Sequence, residues 1–515
     1  AITTETDGIA WTGKIGTTPH GNDPRKIKAF VDFQNDVTEG DIGQAVQEGM
    51  RSIEHIKRFT TTGMATDQGR LSNLNALAIA SAQLGKPVPE IGLTTFRMPF
   101  APVSFGLLAG ASRGVLFDPV RTTPMHTSAV SQNAIFEDVG QWKRAHYFPQ
   151  KGESMHHAVA RECLTVHTAV GLFDASTLGK IEVVGPDAAE FLERIYINNF
   201  KKLAPGRCRY GIMLNEAGFV MDDGVIARLA SDRFHVTTTT GGAARVLNHM
   251  EDYLQTEWPD LRVWLTSISE QFGVIAVQGP KSRALVSEII DPAVLDAKIL
   301  PHMAYCEVTA IGEGGQAIPL RLFRVSFSGE MGYEINIPAA HANYFWQKLS
   351  SFLPKYHGTT YGTEAMHILR AEKGYIIVGQ ETDGTMTPDD VGMAGMIGKD
   401  KKDFVGKRSL SRPDIVAKGR LQLVGLRPLD RHYVPDEGAQ IVLTSKFVAG
   451  TPAAGHVTSS YHSALLERSI ALAVIQDGRN KIGETVFIAQ KSGGMAAEIV
   501  APVFYDPEGA RLNMA

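Results

Sequence analysis

Cysteine is scarce: Cys163, Cys208 and Cys306 are the three in 515 residues. Three thiols, odd in number and far apart in sequence, fit reduced, mostly buried thiols in a cytoplasmic protein better than a disulfide framework, and no CxxC pair suggests zinc. Long apolar runs are also missing. The longest, Val103 to Ala109, falls far below the ~20 residues that span a bilayer, so no membrane segment is expected. The opening AITTETDGIAW lacks the basic start and apolar core of a secretory signal. It also begins Ala-Ile-Thr rather than Met, which reads as a fragment of something longer. Charge of one sign is not in excess either. Lys+Arg 51 against Asp+Glu 55 gives a net charge of -4, and with no basic field to attract phosphates, nucleic acid is set aside as a partner. The sixteen histidines supply no metal pattern: His156 and His157 are adjacent and diverge on a helix, and no HxxxH pair comes with suitable carboxylates.

What is present is an ordinary globular composition, 43% hydrophobic and 21% charged, long enough for about three domains at roughly 100 to 200 residues each. The run IKAFVDFQNDV (27–37) predicts a strand, and TEGDIGQAVQEGMRSIEHIKRF (38–59) a helix by its apolar spacing. A second helix, LSNLNALAIASAQL, is stopped by Gly85 with Pro87 and Pro89 beyond. From about Met125 strands and helices alternate. KIEVVG (180–185) predicts a strand, PDAAEFLERIY a helix opened by Pro186, and GFVMDDGVIARLA with RFHVTTTTG a hairpin across Ala230-Ser231-Asp232. FGVIAVQG (272–279), PKSRALVSEII and RLFRVSFSGEMGYEINIP repeat strand, helix and paired strands, so the order strand, Gly-Pro, helix occurs twice. After about Gly419 five β-runs, RLQLVGL, AQIVLTS, GHVTSSY, RSIALAVI and ETVFIAQ, predict a small barrel or sandwich.

Five blocks, FDASTLGKIEVVGPDAAEFL, RYGIMLNEAGFVMDDGVIARL, SFSGEMGYEINIP, LRAEKGYIIVGQETDGTMTPDDVG and DFVGKRSL, are similar to the aminomethyltransferase family, which includes the glycine-cleavage T-protein and the folate domains of dimethylglycine and sarcosine oxidases. KAFVDFQNDV, HIKRFTTTGMATDQGR, FEDVGQWKRAHYFP and HVTTTTGGAARVL narrow the resemblance to the alpha-subunit branch of heterotetrameric sarcosine oxidases. The resemblance implies an α+β, multidomain fold. A partial α/β segment of dinucleotide-binding type (1–118) precedes a tetrahydrofolate-binding module of two repeated α+β units (125–418) and a C-terminal β-barrel (419–515). The GxGxxG loop of the family's amino-terminal portion is absent, so NAD is expected only where that portion is present.

The resemblance also implies a site. Of the adjacent carboxylates Asp222 and Asp223, which alternate between the faces of a strand, Asp222 is carried over as the catalytic group beside tetrahydrofolate. Glu334 is the acid that accepts from the pterin's ring NH and amino groups. Arg370 stands near the folate's carboxylate tail or the pocket wall, and Tyr210 packs at the pocket. Thr239 occupies the place of a T-protein asparagine, Phe327 that of a folate-oxidase tyrosine, Gly395 and Met396 that of a tryptophan, and Thr177 that of a histidine. Arg468 closes the pocket mouth or is structural. Lys57, Arg58, Thr61, Thr62 and Gln68, in KRFTTTGMATDQ, form a loop with the donors for a flavin mononucleotide phosphate shared with a partner subunit.

The function expected from these features is capture of the methyl-derived unit of sarcosine by tetrahydrofolate, giving 5,10-methylenetetrahydrofolate, while a flavoprotein partner performs the oxidation. Beta, gamma and delta-type subunits are the expected partners. A free-standing aminomethyltransferase or demethylase, and a non-catalytic folate-binding scaffold, are the alternatives.

Overall fold

The structure is a computed structural model that describes residues 26–98, 103–490 and 493–514, so the opening AITTETDGIAW lies outside the described residues. The chain divides into two units, one ending at Pro119 and one starting at Val120.

In the first unit Phe30–Asp32 pairs antiparallel with Val37–Thr38. Thr38 then closes a capping box with Asp41 that starts the helix Glu39–Gln47, satisfying two end donors at once. The single helix expected over 38–59 is two, Glu39–Gln47 and Ile53–Thr60. Gly49 breaks it by adopting φ 97°, a conformation open to glycine and costly to most other residues. Asn73–Leu84 runs as the spacing predicts and stops at left-handed Gly85. Ile42, Ile53, Ile56, Ala76, Ile79 and Ala80 form the core between these helices.

The second unit holds two large sheets and a barrel. Five strands lie in the order Trp264–Ser267, Gly179–Val184, Arg233–Thr238, Val220–Ala230 and Cys208–Leu214. The expected hairpin pairs Ala230 with Arg233. Six strands form the other sheet, in the order Ala304–Ile311, Ala317–Arg324, Gly332–Pro338, Phe272–Gln278, Gly171–Asp174 and Thr359–Thr360. The repeated strand, Gly-Pro, helix motif has one physical cause in both places. Gly185 and Gly279 adopt φ 141° and 126°, and a Cβ there would lie 2.1 Å from Arg262 O or 2.6 Å from Ala169 O. Glycine alone lets the chain turn that close to backbone.

The first motif continues into the helix Ala188–Ile195, which buries Phe191, Leu192 and Ile195 against one face of the five-stranded sheet. The helix expected to follow the second glycine is shorter, Ser282–Val286. Ile289 and Ile290 stay in the core, but their amides both bond to Val286 O, which tightens the chain toward the Asp291-Pro292 turn. Helix Ala339–Tyr356 covers the back of the six-stranded sheet with Phe345, Trp346 and Leu349.

The last region is a closed barrel of six strands, Leu421–Pro428, Arg468–Gln476, Gly455–Ser463, Gln440–Val442, Thr485–Gln490 and Gly493–Val500 in spatial order. Five were expected. The sixth, GGMAAEIV, carries small residues in place of the β-branched and aromatic ones that announce a strand. It closes the barrel by pairing with both Thr485–Gln490 and Leu421–Pro428. No helix among the described residues is long and apolar enough to cross a membrane.

The open faces of the two large sheets meet. His235 packs its ring 5.1 Å from that of Phe323, and Arg321 reaches across to His235 Nδ1 and Glu182 Oε1.

Candidate functional site

The adjacent carboxylates of the strand Val220–Ala230 point to opposite faces of it. Ile226, two alternations along from Asp222, packs among the helix-side residues with Phe191, whereas Val225 and Ala227 pack with Phe323 between the sheets. By the period of two, Asp222 belongs to the helix side and Asp223 to the sheet-facing side. Asp222 is 2% exposed. Its Oδ1 accepts from Thr239 N at 3.0 Å and Asp223 N at 2.8 Å, and its Oδ2 accepts from the Thr239 hydroxyl at 2.9 Å. A Cβ at Gly242 would fall 1.7 Å from that oxygen, so glycine lets the turn 239–242 close over the carboxylate. Burial raises the Asp222 pKa and the bonds from Thr239 oppose the rise. This geometry gives Asp222 the work of holding the turn before helix Ala243–Thr256.

Asp223 is different. One phenol, Tyr210 Oη, donates to its Oδ2, and burial, with the charge of Asp222 adding, pushes its pKa up to about 7 against the Tyr210 hydrogen bond. Tyr210 pairs in register with Val225, and Lys180 with Thr237. The Thr237 hydroxyl bonds both the N–H and the C=O of Val225, so Lys180, Thr237, Val225 and Tyr210 make a row across the sheet on the Asp223 side.

Opposite them, Phe323, Glu334, Ala276 and Phe173 form a cross-strand row of the six-stranded sheet. The Glu334 carboxylate has no hydrogen-bond partner among the described residues, and burial pushes its pKa up to about 7, with the Lys180 charge opposing. Lys180 is fully buried. Its ammonium donates to Ser176 O and Leu178 O, each at 2.8 Å. Burial pushes its pKa down to about 8, with Asp174 and Glu334 opposing. An inward carboxylate left without donors is expensive unless something donor-rich answers it. The arrangement therefore suits a ligand edge with parallel N–H groups, as a pterin has, and can hold or release a proton near neutrality at Asp223 and Lys180.

Other expected residues lie elsewhere. Arg370 is fully buried, and its guanidinium donates to Glu381 Oε2 at 2.8 Å, Tyr375 O at 3.0 Å and Ser459 Oγ at 2.7 Å. It ties helix Thr363–Glu372 to the barrel through Ser459, and its charge is already met by Glu381. Phe327 stacks on Tyr375 at 6.0 Å, and the Thr177 and Thr240 hydroxyls bond each other at 3.0 Å. Gly395 and Met396 lie in the short turn Ala394–Met396. Arg468 donates to Pro428 O at 2.8 Å.

In the first unit the 57–68 loop is organised by Asp32, a residue to which sequence reasoning gave no role. Its carboxylate accepts from Gln34 N, Asn35 N, Gly63 N and the Ser72 hydroxyl. The Lys57 ammonium is buried and bonds Thr95 O at 2.7 Å, so it is not offered to a phosphate, which corrects that expectation. Gln68 Oε1 accepts from Arg97 N, Thr61 turns the chain at φ 66°, and Thr62 is buried with its hydroxyl unpaired among the described residues. Arg58 is exposed. The loop is thus built around a carboxylate, and of its two cations one is spent.

Lys180 also went unremarked in sequence. The signal was a lysine at an inward position of KIEVV, where alternation demanded an apolar residue. A further buried cluster, His167, Glu330 and Glu372, was not anticipated, because its members are separated by more than 160 and 40 residues and only the fold assembles them.

A model of the GCVT N-terminal domain matches residues 125–401, one of the sarcosine oxidase A3 domain matches 26–112, and one of the glycine cleavage T-protein C-terminal barrel domain matches 422–506. The chain is similar to the sarcosine oxidase subunit alpha of Corynebacterium sp. (strain P-1), 49% identical over 94% of this chain and 50% of that one, so it spans about half the length of that relative. It is 31% identical to the aminomethyltransferase of Nitrosomonas eutropha (strain DSM 101675 / C91 / Nm57) over 74% of this chain and 96% of that one. The solved glycine cleavage system aminomethyltransferase T from Bartonella henselae superposes with a TM-score of 0.65 at 24% identity over 75% of this chain and 99% of that one, a likeness of fold.

Proposed function

The chain belongs to the aminomethyltransferase family, and we propose that it is the one-carbon transfer part of a sarcosine oxidase alpha subunit. In this reading a flavoprotein partner of the beta type oxidises the N-methyl group of sarcosine, with gamma and delta-type subunits completing the complex. The flavin mononucleotide lies at the partner's interface, and NAD is expected only where an amino-terminal dinucleotide-binding portion is present. The observation that carries the reading is the Glu334 carboxylate, inward-facing and without a protein donor among the described residues, whose charge is met by Lys180 of the facing sheet, the sheet that also carries the Asp223–Tyr210 pair.

Tetrahydrofolate, when bound, supplies the nucleophilic nitrogens that take up the one-carbon unit. Glu334 accepts hydrogen bonds from the pterin edge, charge-assisted and about twice as strong as neutral ones. Asp223, with its proton affinity raised and its carboxyl aimed by Tyr210, takes the proton released as the carbon–nitrogen bond forms. The cross-sheet packing of His235 and Phe323 helps to exclude water from a reactive iminium. Asp222, the residue first expected to be catalytic, acts as a positioning residue through the 239–242 turn. Arg370 holds the barrel and does not touch the folate.

Calorimetry with tetrahydrofolate tests this on the full complex. Glu334→Gln is expected to weaken binding by roughly ten-fold or more, and Asp223→Asn to leave binding largely intact while shifting the product from methylenetetrahydrofolate toward free formaldehyde. Unchanged affinity in the first variant together with an unchanged product ratio in the second would overturn the reading.

A further inference from the structure

Beyond the open pair of sheets, a densely bonded polar centre lies behind the Ser326–Met331 loop. His167, on helix Met155–Thr168, contacts Glu330 Oε1 through Nδ1 at 2.8 Å and Glu372 Oε2 through Nε2 at 2.7 Å. Both carboxylates are fully buried. The segment that follows the barrel completes the cluster. Arg511 donates through Nε to Glu330 Oε2 at 2.8 Å and through a terminal nitrogen to His167 O at 2.6 Å, and Tyr505 Oη donates to Glu330 Oε1 at 3.0 Å. Barrel residue Ser463 donates to Glu372 Oε1 at 2.6 Å.

That segment is held along its length by the module it crosses. The amides of Phe504 and Tyr505 both bond to Glu372 O. Lys373 pairs with Asp506 at 3.2 Å, Arg324 donates to Leu512 O at 3.0 Å, and Arg283 donates to Met514 O at 3.4 Å. Three cations of the module thus grip one side of the segment, while its own Arg511 reaches inward. Glu330, the group that Arg511 grips, stands in the loop that carries Phe327 and leads into the strand Gly332–Pro338, four residues before Glu334. On the other side of the same loop, Ser326 and Ser328 both donate to Gln278 Oε1.

We propose that residues 503–514 are a strap that sets the register of the folate-binding strand, and that Arg511 is a positioning residue acting on Glu334 through Glu330 and the Ser326–Met331 loop. The proposal rests on the reading of Glu334 as the pterin acceptor. Its physical content is that Glu330 has its oxygens answered from three directions, by His167, Tyr505 and Arg511. Of the two strap donors, Tyr505 and Arg511, removing the charged one, Arg511, with 29% of its side chain exposed, leaves a buried carboxylate short of a partner and frees the loop to shift. Displacement of a site group by about 1 Å costs up to about a hundred-fold in function.

The test uses the full complex as wild type, Arg511→Gln and Arg511→Lys, with two readouts: tetrahydrofolate affinity by calorimetry, and hydrogen exchange of the amides of 326–334. The expected result is a roughly ten-fold weaker affinity in Arg511→Gln, faster exchange confined to 326–334, and partial recovery of both in Arg511→Lys. Exchange in 326–334 unchanged from wild type overturns the strap. So does a lowered melting temperature with affinity unchanged, since that is the signature of a purely structural contact. If the wild type itself binds no tetrahydrofolate, the functional reading of Glu334 falls, and the exchange data alone then decide the strap.

Discussion

Two groups of buried charge in the same unit are built on opposite rules. In the His167, Glu330, Glu372 and Arg511 cluster, and in the Arg370–Glu381 pair, the carboxylates are answered by protein donors from several elements. Between the sheets, among the described residues, Glu334 has no donor and Asp223 has one side-chain donor. A saturated buried pair fixes elements to each other, whereas an unsaturated carboxylate keeps its capacity for something that arrives from outside. Burial alone does not separate structural from chemical charge, and the count of unanswered lone pairs does.

The comparison breaks most visibly where a saturated pair loses one member. Glu381→Ala leaves the Arg370 guanidinium uncompensated and is expected to cost about 3 to 5 kcal/mol, read by denaturant unfolding. A loss under about 1 kcal/mol would place that pair with surface ion pairs. Next in size is the contrast within one strand. Asp222→Ala strands the Thr239 amide and is expected to destabilise by about 1 to 3 kcal/mol, while Asp223→Asn changes stability by less than about 1 kcal/mol and acts on product formation. Equal stability losses would erase the division of labour between the neighbours.

The pH dependence sharpens the same contrast. Burial alone would lower the His167 pKa, but its hydrogen bonds to the Glu330 and Glu372 carboxylates raise it to about 9 from an ordinary 6.5. Its contribution to stability is therefore complete below about 6.5 and lost as pH rises through about 9. Glu334 has its pKa raised from 4.5 to about 7 by burial, so folding binds a proton there and stability declines as pH rises across that interval. Denaturation of wild type and Glu334→Gln at pH 4.5, 7 and 9.5 is expected to show a shallower first decline in the variant, the remainder belonging to Asp223 and Glu162, whose carboxyls burial also raises to about 7, with the alkaline decline kept. The smallest effect lies in the first unit, where the exposed Thr38–Asp41 capping box is saturated but wet. Thr38→Ala is expected to cost about 1 kcal/mol, read as faster amide exchange at the start of helix Glu39–Gln47.

Elements defined by local rules were legible in sequence. The Gly85 stop, the hairpin at Ala230–Arg233 and the doubled strand, Gly-Pro, helix order follow from turn chemistry and alternation, which act over a few residues. The failures have equally specific causes. Gly49 split a pattern whose apolar spacing ran on without interruption, and GGMAAEIV is a strand because the barrel must close, not because its residues favour extension. At the site, Glu334 and Tyr210 came from motif likeness. Choosing Asp222 over Asp223 required knowing which face of the strand meets the other sheet, a tertiary fact. Arg370 and Lys57 were misjudged for the reverse reason: a cation in a familiar block looks available, yet Glu381 and Thr95 O, far along the chain or in the next loop, had already engaged them.

The register shift at Met213 and Leu214, where Met221 is the extra residue on Asp222's own strand, fixes which face each carboxylate of the hairpin 208–230 takes. Moving the frame by one position would carry the turn-holding carboxylate into the space between the sheets and its reactive neighbour into the hydrophobic helix layer. Exchanging a side chain along this ribbon leaves that assignment untouched, whereas an added or deleted residue preserves it only within the Asn215–Phe219 loop, outside the paired frame.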